Sequence, residues 1–191
     1  MDKSEANRRV LVVDDEHDLL KSYDDILTAR YKRQSMRAKG LFSTSEDEEK
    51  DKTIGFEVSA ADQGQAAVEL ARQALKEERP FAVAFIDMRM PPGWDGLQTA
   101  TEIRKLDDNV YIVFVTAYSD HSVNEMQERL HKNTLLLHKP FYKDVVLQMA
   151  RTFCISWARE QCLVQTRKRL SHLSERMAEQ VNRDALTELY N

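Results

Sequence analysis

The sequence predicts an α/β fold: a five-stranded parallel sheet with helices on both faces. Two observations carry this. Five short apolar runs alternate with stretches of helical periodicity. The first run, Val10-Leu11-Val12-Val13, is apolar at every position, as in a strand buried on both faces. The length of 191 residues and the hydrophobic fraction of 42% supply a core for one ordinary domain with chain to spare.

After the first run, Asp14-Asp15-Glu16 opens a helix with apolar positions Leu19, Leu20, Tyr23, Ile26 and Leu27. Phe56 to Ala60 forms a second strand, and Ala66 to Lys76 a helix with Ala and Leu on one side. Phe81 to Ile86 is a third strand, ending at Asp87 and a Pro-Gly loop, and Leu97 to Leu106 is helical. Val110 to Val115 is the fourth strand, ending at Thr116. Ser122 to Leu130 is a short helix, with Val123, Met126 and Leu130 on its apolar side. Thr134 to Leu137 is the fifth strand, running into His138-Lys139-Pro140. Right-handed crossovers place helices on both faces of such a sheet, and binding sites lie beyond the carboxyl ends of its strands.

Two stretches fall outside this core. Arg33 to Thr53 is dense in Ser, Glu, Asp and Lys at its centre and reads as a flexible, solvated insertion; the alternative is a helical extension that docks a partner. From Lys143 onward there is neither glycine nor proline, which predicts a helix continuing into a long connector. Leu163, Leu170 and Met177 fall seven apart, with Thr166 and Leu173 between them. That short heptad pattern fits a dimeric coiled coil or, equally, an amphipathic helix lying on its own domain.

Composition excludes several functions. The net charge is −4, and there is no basic concentration of the kind that binds nucleic acid. No apolar run approaches the roughly 20 residues of a membrane span, and the polar start lacks the apolar stretch of a signal peptide. Five glycines form no phosphate-cradling loop, which argues against an NTPase or a dinucleotide enzyme. Cys154 and Cys162 lie eight residues apart on a helix, too far for a disulfide. A cytoplasmic protein is expected.

The chemistry lies at the strand ends. Asp14 and Asp15 follow the first strand, Asp87 ends the third, Thr116 the fourth, and Lys139 follows the fifth. A parallel sheet brings all five to one edge. Three carboxylates repel one another, and a hard divalent cation such as Mg²⁺ relieves this with oxygen ligands. A carboxylate can serve as nucleophile and form an aspartyl phosphate, while Lys139 and Thr116 bind phosphoryl oxygens. Singly, each residue has a plain reading: a helix N-cap for Asp14 or Asp15, turn chemistry for Asp87, a strand end for Thr116, a surface charge for Lys139. It is the set, one at each successive strand end, that points to Mg²⁺-dependent phosphoryl transfer.

The segments Leu11-Val12-Val13-Asp14-Asp15, Ile86-Asp87-Met88-Arg89-Met90-Pro91, Asp95-Gly96, Val115-Thr116-Ala117 and Lys139-Pro140-Phe141 closely resemble the receiver domain of two-component response regulators, from about Arg8 to Trp157. The resemblance implies a flavodoxin-like strand order of 2-1-3-4-5, an order carried over from that family rather than derived from the pattern. It implies that Asp87 is the phosphoacceptor. Asp15 would bind Mg²⁺ directly and Asp14 through water, with the Arg89 backbone carbonyl as a further ligand. Thr116 and Lys139 would hold the phosphoryl group, and the Lys139-Pro140 peptide would be cis. The implied partners are a sensor histidine kinase or phosphotransfer protein and a second copy, through the helices after the fourth and fifth strands and the C-terminal helix. Three features depart from the family: the long insertion, one extra residue in Pro91-Pro92-Gly93-Trp94-Asp95-Gly96, and Leu136 where an aromatic usually pairs with the threonine. Trp94 would stack on a partner or cover the edge of the site.

Arg183 to Asn191 resembles the opening of GGDEF-type diguanylate cyclase domains, with Glu188 where that family more often has glycine. The expected organisation is a receiver over 8–157 containing the 33–53 insertion, a helical connector over 158–182, and the stub of an output domain over 183–191. The fragment itself would be a phosphoacceptor rather than a turnover enzyme. Three rival functions fit the sequence less well. A histidine kinase output would need an acidic residue directly after His172 and an ATP-binding region, and has neither. A dehalogenase-like phosphatase needs an aspartate where Arg89 stands. A phosphorylation-independent adaptor would not need the intact set of five site residues.

Overall fold

The computed structural model describes residues 7–28, 55–117, 130 and 132–187, with side chains described to Met177. Strands β1 (Arg9–Val13), β2 (Glu57–Ala61), β3 (Val83–Asp87), β4 (Tyr111–Thr116) and β5 (Thr134–His138) form one sheet. Helices α1 (His17–Thr28), α2 (Gly64–Lys76) and α3 (Gly96–Leu106) connect them, and α4 (Lys143–Thr187) closes the described chain. The order is β2-β1-β3-β4-β5 and every pair is parallel, as expected. The expected insertion at 33–53 and helix at 122–130 lie outside the described residues, apart from Leu130, which is helical and buried.

Strand pleating splits the apolar runs between two cores. Leu11, Val13, Ala84, Ile86, Ile112 and Phe114 pack against α2 and α3, where Ala67, Ala71, Leu97, Ala100 and Ile103 meet them. Val10, Val12, Val83, Phe85, Val113 and Val115 face α1 and α4, where Tyr23, Ile26, Leu27, Val146, Ala150 and Phe153 meet them. The central strands β1, β3 and β4 are thus covered on both sides, which is why their sequences are continuously apolar.

Element boundaries differ from expectation by a few residues. Phe81 and Ala82 are buried, but the ladder pairing of β3 starts at Val83; apolarity reports burial, whereas strand limits are set by backbone pairing. The first helical residue is His17 rather than Asp14, because the Asp14 carboxylate accepts the Glu16 N–H at 2.9 Å and holds a turn there.

Helix α4 is 45 residues long, roughly 65–70 Å at 1.5 Å per residue. Its first part is docked: Phe153 stacks on Tyr111 with centroids 5.1 Å apart, and the Tyr111 hydroxyl donates to Glu160 Oε1 at 2.7 Å. Beyond Gln161 the side chains described are all exposed, including Leu163, Leu170, Leu173 and Met177. Of the two readings of the heptad pattern, these side chains do not lie on their own domain.

Candidate functional site

Register brings the site together. Val13 pairs with Ile86, Asp87 with Val115, and Thr116 with His138, so Asp14, Asp87, Thr116 and Lys139 arrive at one sheet edge. Carboxylate oxygens of Asp14, Asp15 and Asp87 lie within 4.8 Å of one another. Lys139 Nζ donates to Asp14 Oδ2 at 3.0 Å and to Asp87 Oδ2 at 2.9 Å. Asp14, Asp87 and Thr116 are buried and Asp15 is half-buried.

Backbone bonds hold this arrangement. Asp14 N–H donates to the Ala61 carbonyl at 3.2 Å, Met88 N–H to Val115 at 3.0 Å, and Lys139 N–H to Thr116 at 2.8 Å. The Lys139-Pro140 peptide is cis, as expected, and so is Pro91-Pro92. Arg89 sits in the turn beyond β3, with its N–H 3.4 Å from Asp87 Oδ1. That turn closes on the N-terminus of α3: Gly96 N–H donates to the Met88 carbonyl at 3.1 Å, and the Asp95 carboxylate caps the helix by accepting Gln98 N–H at 2.7 Å. Gly96 must be glycine here, since a Cβ would stand 2.3 Å from the Asp87 carbonyl oxygen. Trp94 packs against the α2–α3 core, so the structure places it as cover rather than as a free platform.

Burial raises the Asp14 carboxyl above its ordinary value, and this outweighs the bonds from Glu16 N–H and Lys139 that favour its charge. Burial also works against the Lys139 ammonium, but its bonds to Asp87 and Asp14 prevail and hold it above its ordinary value. Three carboxylates and one ammonium leave two negative charges in the cluster. An all-oxygen donor set with that residual charge fits a hard divalent cation.

The expected residues Asp14, Asp15, Asp87 and Lys139 are therefore in one cluster, with Thr116 at the same edge and Arg89 adjoining. Leu136 is half-buried against the α2–α3 core, so no aromatic occupies the place where the family's switch residue would stand. His172 lies on the exposed part of α4, with its Nδ1 3.7 Å from Glu175 Oε2. One residue at the site escaped the sequence reading. Periodicity assigns Tyr23 only to the apolar side of α1, whereas its ring lies against Phe85 and Phe141, two residues from Asp87 and Lys139; the available signal was a hydroxyl on a position that had to be buried.

The response regulator receiver domain model matches residues 49–151, just over half of the chain. The chain belongs to the response regulator receiver domain family. It is the receiver of a two-component response regulator, and such receivers typically work with histidine kinases or phosphotransfer proteins. The match begins after β1, so Asp14 and Asp15 join the receiver site through the pairing of β1 between β2 and β3. The fold is similar to the CheY-like response regulator receiver protein of Methanospirillum hungatei JF-1, at 19% identity and a TM-score of 0.56, covering 80% of this chain and 98% of that one. It is also similar to CheY4 of Vibrio cholerae, at 20% identity and a TM-score of 0.56, covering 78% and 99%. A third likeness is the N-terminal domain of a response regulator/sensory box/GGDEF 3-domain protein from Carboxydothermus hydrogenoformans, at 20% identity and a TM-score of 0.55, covering 80% and 98%. No curated protein sequence matches the chain. Among the described residues no helix is long and apolar enough to cross a membrane.

Proposed function

We propose that this receiver takes a phosphoryl group onto Asp87 in a Mg²⁺-dependent reaction and thereby regulates a C-terminal output, a diguanylate cyclase. The observation that supports it most is the Lys139 ammonium shared between Asp14 and Asp87 beside Asp15. Asp15 would bind Mg²⁺ directly, Asp14 through water, with Asp87 and the Arg89 carbonyl completing the protein ligands. The ion would neutralise charge on the transferring phosphoryl group. An Asp87 carboxylate oxygen attacks phosphorus, the bond from phosphorus to the donor's histidine nitrogen breaks, and the electron pair leaves with that nitrogen. Lys139 Nζ then exchanges its contact with Asp87 Oδ2 for a phosphoryl oxygen, and Thr116 donates its hydroxyl to another. A sensor histidine kinase or phosphotransfer protein is the donor, and we place the reaction in a reducing cytoplasm, in keeping with two free cysteines.

The diguanylate cyclase reading rests on the resemblance of Arg183 to Asn191, and the receiver over 8–157, connector over 158–182 and output stub over 183–191 are proposed with it. The helix after β5 carries the signal. Its exposed seam of Leu163, Leu170, Leu173 and Met177 would be covered by a second copy. With Leu163, Leu170 and Met177 at one core position of the heptad, Arg169 and Arg176 both flank the seam on the same side. An antiparallel pair would set these arginines against one another; a parallel pair would set Arg169 against Ser174. This favours a parallel pair, which would also deliver both output domains to the same end.

The test is intact-mass analysis after incubation with acetyl phosphate and Mg²⁺, with Asp87→Asn alongside. A gain of one phosphoryl group, abolished by EDTA or by the substitution, is expected. A folded protein that gains none and does not bind BeF₃⁻ would overturn the proposal in favour of an adaptor.

A further inference from the structure

Tyr23 on α1 is buried at 2% exposure, and its hydroxyl has no hydrogen-bond partner among the described residues. A buried hydroxyl is normally satisfied, and leaving one unpaired is costly, so its surroundings call for an explanation. The ring supplies the bearings. It lies 5.7 Å from the Phe85 ring and 5.5 Å from the Phe141 ring, centroid to centroid. Phe85 and its register partner Val12 face the α1–α4 side of the sheet. Asp87 and Asp14 follow them by two residues, so alternation directs both carboxylates to that side, one step nearer the sheet edge. Phe141 follows Lys139 by two residues. Tyr23 thus sits on the α1–α4 side of the sheet, against the residue two before Asp87 and the residue two after Lys139.

Electrostatics agree with this placement. Burial is the main cause that raises the phenol above its ordinary value, and the charges of Asp14 and Asp87 raise it further, so the hydroxyl lies within the field of both. Asp14 is the group best able to use a donor. Its Oδ1 accepts from Glu16 N–H and its Oδ2 from Lys139, and each oxygen keeps a second lone pair.

We propose that Tyr23 is a positioning residue for the metal and phosphoryl site: its hydroxyl donates through a bridging water to the Asp14 carboxylate and fixes that carboxylate for cation binding. Outer partners of metal ligands set ligand orientation and basicity in this way. The inference rests on the Mg²⁺ reading of the cluster given above.

Tyr23→Phe tests it, since it keeps the ring contacts and removes only the hydroxyl. Mg²⁺ alone is titrated into the wild-type and variant chains by calorimetry, the initial rate of phosphoryl gain from acetyl phosphate is followed by intact mass, and the melting temperature is recorded for both. The expected result is Mg²⁺ affinity weakened by about three- to tenfold, below the ten- to hundredfold typical of directly bonded outer partners because a water intervenes. The phosphorylation rate should fall at limiting Mg²⁺ and recover at saturating Mg²⁺, with the melting temperature unchanged. Equal Mg²⁺ affinity in the two chains would overturn the inference, whether or not the melting temperature moved. A wild-type chain that binds no Mg²⁺ would instead overturn the reading of the site on which it rests.

Discussion

Replacing Lys139 with Met separates the two tasks of this side chain, charge balance and phosphoryl contact. Lys139 Nζ is bonded to Asp14 and Asp87 at 3.0 and 2.9 Å, and both carboxylates are buried. Met keeps most of the stem and removes the charge, leaving three carboxylates within 4.8 Å of one another without the ammonium. Breaking a buried ion pair costs about 3–5 kcal/mol; since Lys139 is partly exposed, the lower end, about 3 kcal/mol, applies. For a domain of this size that lowers the melting temperature by roughly 10 °C. The loss should be largest in EDTA at neutral pH. It should shrink as the pH falls, because the Asp14 carboxyl, already raised by burial, takes up a proton and relieves the repulsion. Mg²⁺ should raise the melting temperature of the variant, since a ligand at a hundred times its Kd contributes about 2.7 kcal/mol. Thermal unfolding followed by circular dichroism, with EDTA or Mg²⁺, measures all three effects. Intact mass with acetyl phosphate should show phosphoryl gain strongly reduced even where Mg²⁺ raises stability. A melting temperature in EDTA within about 2 °C of wild type would refute the charge-balance reasoning, and a variant melting temperature that Mg²⁺ does not raise would refute the joint binding of a cation by the three carboxylates.

Gly96→Ala would place a Cβ 2.3 Å from the Asp87 carbonyl oxygen and 2.8 Å from Met88 Cα, backbone atoms that cannot rotate away. A loss of about 1–3 kcal/mol in denaturant titration is expected, with slower phosphorylation because Asp87 must move. Tyr111→Phe removes the 2.7 Å bond to Glu160 that ties down α4; about 1 kcal/mol should be lost at neutral pH, with faster amide exchange near Glu160. Burial and, secondarily, Glu160 push the Tyr111 phenol up to about 12 from 10.0, so its contribution is fully present below pH 10.0 and is lost as the pH rises towards 12. The wild-type advantage over Tyr111→Phe should therefore stay constant up to that point and then close. In a Cys162→Ser background, cysteine placed singly at Leu163, Leu170 or Met177 should cross-link to itself in each case if the helices pair in parallel; an antiparallel pair centred on Leu170 would instead link position 163 to 177 only in mixtures.

Several things were settled by the sequence alone. The alternation of apolar runs with helical stretches dictated a parallel α/β sheet, because strands covered on both faces must be apolar at every position, as Val10 to Val13 are. The site was legible for a related reason: in a parallel sheet the strand ends share an edge, so residues far apart in the chain, Asp14, Asp87 and Lys139, are brought together by topology rather than by local spacing. Tertiary structure decided what depends on pairing and direction. Where α1 begins follows from the turn that Asp14 closes on Glu16 N–H, which composition does not encode. That α4 leaves the domain after Glu160 follows from the reach of Tyr111 across the sheet, a contact between residues 49 apart. The place of Tyr23 between Phe85 and Phe141, with its hydroxyl unpartnered among the described residues, was invisible to periodicity, which registers a tyrosine on an apolar face as one more buried ring.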